Sequence, residues 1–173
     1  MPLTPNLTFN MRKILLIIFF IIFFAVMEFI LFNVFGPWCM PHLLLLLIIF
    51  VTLYFGIRYG LVAAFLAGIV KDSLSVGIFG TSIFSFVVCA FMSAILKKYL
   101  YHTRSYGSRL FLVFCVSIVD LSIHAVLYFY RMGGISDFEH IPLSFFLPAL
   151  IATLLLTTTV FYRLKLCVSK FYV

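Results

Sequence analysis

From residue 14 to residue 35 the chain runs for 22 residues with a single ionisable side chain, Glu28. At a rise of about 1.5 Å per residue, a helix of that length crosses the roughly 30 Å hydrocarbon core of a bilayer. Inside lipid every backbone amide and carbonyl must be satisfied internally, which leaves helices and closed barrels as the only spanning structures. The apolarity here is continuous and does not alternate, which selects the helix. Comparable runs recur along the chain at about 14–35, 41–56, 60–76, 78–96, 110–130 and 141–162. They fill nearly all of the 173 residues, so one membrane domain (1–173) is expected, an all-α bundle of six transmembrane helices. Charged residues make up 10% of the chain, against about a quarter in soluble domains, too few to cover a globule in water.

The ends of these runs carry the next level of information. Arg12 and Lys13 precede the first run, as they would in a secretory signal. The run is too long for a signal core, contains Glu28 and lacks a small-residue cleavage motif, so it is expected to stay attached. Gly36, Pro37 and Pro41 break the chain before the second run, and Pro148 predicts a bend in the sixth. The third run has only about a dozen apolar residues before Lys71, about 18 Å of helix. Two outcomes are open. The helix continues to about residue 76, placing Lys71 and Asp72 near the far interface, or it stops early inside the bundle.

Six spans put both termini on one side. The terminal segments and the even loops hold Arg12, Lys13, Arg58, Lys97, Lys98, Arg104, Arg109, Arg163, Lys165 and Lys170, while the other side holds only Lys71 and Arg131. Ten bases against two is a strong positive-inside asymmetry, which predicts cytoplasmic termini. Tyr99, Tyr101, Tyr106 and Tyr162 on one side, with Trp38, Tyr128 and Tyr130 on the other, fit aromatic belts. The bases sit in short clusters at helix ends and not on one soluble face, so lipid headgroups, and not nucleic acid, are the expected contact.

Within the third run, small residues recur every four positions at Gly60, Ala64 and Gly68, and Asp72 follows on the same helix face. Such a face lets a neighbouring backbone approach closely, and an acid at its end needs a partner or water. This predicts that the third helix is the one around which the others pack. Gly60, Ala64, Gly68, Lys71, Asp72, Gly77 and Gly80 form the expected packing and partner-docking set. Ser82, Ser85, Cys89 and Ser93 make a second small, weakly polar face in the fourth run.

Glu28, Asp120 and His124 are the other intramembrane polar residues of interest. Asp120 and His124 share a helix face, and an acid that orients an imidazole is half of a nucleophile-activating triad. No serine or cysteine stands in a GxSxG-like setting, so mutual satisfaction within the bundle is the simpler expectation. Glu28, Lys71, Asp72 and Arg131 admit two readings: an ion or substrate site near the outer interface, or a charge-neutral structural contact. The four cysteines include no CxxC, and HExxH and phosphate-loop motifs are absent, so no metal, cofactor or catalytic residue is expected.

Three features together resemble the MreD family of bacterial rod shape-determining membrane proteins. They are the proline-initiated, leucine-rich second run from Pro41, the third run from Gly60 to Gly68 ending in Lys71 and Asp72, and the following Ser75, Gly77 and Gly80. By layout the likeness covers the chain, and by motif about residues 41–85. It implies a non-enzymatic scaffold of the elongation machinery in the cytoplasmic (inner) membrane. Its implied partners are MreC, the actin-like MreB, and the RodA glycosyltransferase with its penicillin-binding transpeptidase. The family is also similar in fold to the substrate-binding subunits of energy-coupling-factor transporters, which supplies the alternative of a transport subunit with an outward pocket.

Overall fold

The computed structural model describes residues 11–35, 42–74, 79–100, 106–132 and 143–171. All regular structure among them is α-helical, in six elements: α1 (Met11–Phe35), α2 (Leu43–Phe55), α3 (Ile57–Leu74), α4 (Thr81–Leu100), α5 (Tyr106–Met132) and α6 (Leu143–Phe171). The helix bounds shift from the sequence reading by up to nine residues, most at the C-terminal end of α6, where residues 163–171 continue the helix despite their bases. Gly56 turns the chain between α2 and α3 at a φ of 94°, and Gly80 precedes α4 at a φ of 104°. Both values lie in the left-handed region that a β-carbon disfavours.

Side-chain contacts fix the directions of the helices. Lys71 meets Glu28 and His42, and Gly60 lies against Thr52, so α3 runs antiparallel to α2. Lys13 stands over the Phe55 and Tyr59 rings while Glu28 reaches Leu44, so α1 is also antiparallel to α2. Lys97 donates to the Leu53 carbonyl at the end of α2, and Cys89 and Ser85 contact Val116 and Asp120, which reverses α5 against α4. In α6, Thr153 pairs with His42 and Phe161 with Phe50, a constant offset of 111 residues that sets α6 parallel to α2. Successive helices therefore alternate in direction.

The centre of the bundle is α2, not α3 as the small-residue pattern predicts. The other five helices surround it, and every residue from Leu43 to Leu53 is buried. Its 13 residues span only about 20 Å, short of a full crossing. The stripe of α3 serves that arrangement. Gly60, Ala63, Ala64, Ala67 and Gly68 are all buried, against α2 and α4. A β-carbon at Gly60 would fall on the Thr52 hydroxyl, and one at Gly68 would stand 2.5 Å from the Ile83 α-carbon.

Among the described residues, three helices are long and apolar enough to cross a membrane, over Lys13–Val34, Thr81–Tyr99 and Gly107–Leu127. Large apolar side chains line their outer faces, among them Phe19, Phe23, Phe84, Phe91, Phe111 and Phe114. Such faces suit a hydrocarbon solvent.

Candidate polar core at the N-terminal end of α2

A helix leaves its first amides without intrahelical partners, and in an apolar bundle those donors must be met by side chains. Around the start of α2 they are met by other helices. The His42 amide donates to Thr153 Oγ1 of α6 at 3.3 Å, and the Leu44 amide donates to Glu28 Oε2 of α1 at 3.1 Å. A carboxylate at a helix N-terminus is also favoured by the helix dipole.

The other oxygen of Glu28 faces Lys71 of α3, with Nζ 3.3 Å from Oε1. Both side chains are largely buried, with exposures of 17% for Lys71 and 6% for Glu28. The Lys71 ammonium lies 3.3 Å from His42 Nδ1 and 5.2 Å from the centre of the Phe86 ring of α4. An ammonium can only donate, so Nδ1 of His42 accepts. One lysine thereby ties α1, the entry to α2, and α4 to its own helix.

Asp72, the next residue, turns the other way. Its carboxylate accepts from the amides of Gly80 at 2.7 Å, Ser82 at 3.0 Å and Ile83 at 3.4 Å. It closes the first turn of α4 as a capping side chain normally does, but from the preceding helix. The helix does not stop early: α3 runs on to Leu74, and within it Asp72 is buried and Lys71 half-buried.

Asp120 of α5 reaches the same side of the core through Ser85, about one helical turn beyond the Ser82 amide that Asp72 holds. It accepts a hydrogen bond from the Ser85 hydroxyl of α4. Nδ1 of His124 donates to the backbone carbonyl of Asp120 at 3.0 Å and stands 3.6 Å from its carboxylate. The arrangement is unlike a triad. The serine bonds the acid directly, and the imidazole nitrogen is taken up on its own helix.

Glu28, Lys71, Asp72, Asp120 and His124 thus gather at one end of the bundle, each with named partners. Gly60 sits at the opposite end, and Ala64 and Gly68 lie between. Gly80 gives its amide to Asp72. Pro41, Gly77 and the side chain of Arg131 lie outside the described residues; of the expected charged cluster, Glu28 and Lys71 pair with each other and Asp72 is committed to α4. Sequence reasoning passed over His42 and Thr153. The position of His42, directly before an apolar run, was the available signal of a helix entry. Thr153 carried none, being one hydroxyl in a long apolar segment.

No group of three or more histidine, cysteine or acidic side chains among the described residues has a metal-holding arrangement. A family model described as rod shape-determining protein MreD matches residues 8–167 of the chain. No curated protein and no solved structure matches it.

Proposed function

The chain belongs to the MreD family of rod shape-determining proteins, and from that premise we propose that it is a non-enzymatic membrane scaffold of the bacterial elongation complex. In this reading it sits in the cytoplasmic membrane as a six-span protein with both termini inside. It couples MreC and the cytoskeletal MreB to the peptidoglycan synthases, RodA and its penicillin-binding transpeptidase. The family match over residues 8–167 carries the reading.

The polar core supports the non-enzymatic part. Glu28 is held by Lys71 and a backbone amide, Asp72 by three amides, and Asp120 by Ser85. These groups are engaged in joining helices, which is what a scaffold asks of them. The alternating helix directions support six spans, with α2 and α3 as short inner members sheltered by longer neighbours.

Gly60, Ala64, Gly68, Lys71, Asp72, Gly77 and Gly80 then act in assembly by fixing the shape of the surface that partners meet. The test is affinity purification in native-like detergent with the bound proteins identified. MreC and RodA should be recovered with the wild-type chain and diminished with Gly68→Leu. Recovery of an ATPase and a coupling subunit in their place would move the protein to transport. Undiminished MreC with Gly68→Leu would detach the small-residue stripe from assembly.

A further inference from the structure

The C-terminal end of α2 divides its basic residues into two kinds. Lys13 and Lys97 turn inward: Lys13 stands 6.0 Å and 5.6 Å from the Phe55 and Tyr59 ring centres, and Lys97 donates to the Leu53 carbonyl. Arg58 in the first turn of α3, Lys98 in the last turn of α4, and Arg163 of α6 are exposed and make no ion pair or hydrogen bond with the described residues.

These three lie at one level of the bundle. Arg58 follows the Gly56 turn that ends α2, and Lys98 adjoins Lys97, which is anchored on Leu53. The constant register of α6 on α2 sets Arg163 at the level of Thr52 along the bundle. Tyr99 and Tyr162, 75% and 64% exposed, flank them. Among the described residues the acids are Glu28, Asp72 and Asp120, and all three are engaged at the opposite end of α2. No acid among the described residues compensates the positive charge here.

We propose that Arg58, Lys98 and Arg163 form a binding surface for the phosphates of anionic phospholipid headgroups. Charge complementarity selects the occupant. Guanidinium and ammonium groups match phosphate oxygens, and the tyrosines present rings suited to the headgroup level. The basic side chains stand at the edge of an apolar bundle, where a headgroup is the nearest anion. Lys13 and Lys97 are outside the surface because their charge is already directed inward.

The test uses the full chain reconstituted in nanodiscs of mixed phosphatidylglycerol and phosphatidylcholine, released and weighed by native mass spectrometry. Phosphatidylglycerol should be enriched among the retained lipids, by about fivefold for each free base, and the enrichment should weaken as salt rises. Arg58→Gln, Lys98→Gln and Arg163→Gln together should abolish it with little change in melting temperature. Lys97→Met should lower the melting temperature and leave the lipid preference intact. Equal retention of the two lipids by the wild-type chain would overturn the proposal, as would a preference surviving in the triple variant. Soluble polyphosphate binding the detergent-solubilised protein as well as the lipid does would also overturn it, since the surface would then read phosphate without regard to lipid.

Discussion

At its N-terminal end α2 meets charges that are buried and committed to one another, and at its C-terminal end it meets ammonium groups reaching in from an exposed basic rim. Glu28, Lys71 and His42 close the first end together with Thr153 of α6. Lys97 closes the second, with Lys13 on the aromatic rings beside it. Both ends obey the helix dipole, acid at the start and base at the finish. They differ in what remains when a partner is lost. At the buried end the survivor is a full charge on Glu28, which is 4% exposed, while at the rim it is only a neutral carbonyl.

That difference predicts unequal costs. Lys71→Met leaves the Glu28 carboxylate buried without its counter-charge and should cost about 3–5 kcal/mol, as broken buried pairs do. Lys97→Met removes one charge-assisted hydrogen bond to a carbonyl and should cost about 1.5–3 kcal/mol. Glu28→Gln combined with Lys71→Met should recover part of the first loss, since no lone charge then stays inside. Unfolding titrations in mixed micelles compare these three variants, and Glu28→Gln alone, with the wild-type chain. Equal losses at Lys71 and Lys97, or a double variant as unstable as the sum of its singles, would erase the distinction between the ends.

The stripe on α3 extends the same comparison, because Gly68 and Gly60 face different kinds of neighbour. A β-carbon at Gly68 meets the Ile83 backbone, 2.5 Å from its α-carbon and 2.9 Å from its nitrogen. That backbone is held in turn by Asp72 through the Ile83 and Ser82 amides. Gly68→Ala should therefore cost about 1–3 kcal/mol, as overpacking does, and Ile83→Ala should not rescue it. At Gly60 the nearest obstacle is the hydroxyl of Thr52. Gly60→Ala should be relieved in part by Thr52→Ala, which removes that hydroxyl. Thermal melts of the two pairs decide the point, and rescue at Gly68 with none at Gly60 would reverse the assignment.

What the sequence made legible follows the same lines. Apolar run length located all six helices, and four-residue spacing found the buried face of α3, because both are local properties of the chain. The central place of α2 was hidden for a physical reason. A helix apolar on every side reads the same whether protein or lipid surrounds it, and residues 43–51 are apolar without a break. Gly60, Ala64 and Gly68 did signal close packing, but a small face shows only that backbones approach, not which helix lies at the centre. The Glu28–Lys71 pair joins residues 43 positions apart, which no local pattern encodes. The reach of Asp72 was half visible: its burial was among the readings, and its partners on α4 became apparent only with the turn closed at Gly80.

Asp72 offers the smallest of the expected effects and the finest test of the buried end. It neighbours Lys71 in sequence, yet its oxygens point to α4 and not to the Glu28 pair. If its task is to cap α4, Asp72→Ala should cost about 0.5–2 kcal/mol, the range of a lost N-cap, and Asp72→Asn less, since one carboxamide oxygen still accepts. The disturbance should also be local. Amide exchange should quicken at Gly80, Ser82 and Ile83, whose donors Asp72 holds, and stay unchanged at Leu44, whose donor belongs to Glu28. Exchange that quickens at Leu44 to the same degree would mean that the buried end responds as one electrostatic unit. The Glu28–Lys71 pair and the α4 cap would then not be separate devices.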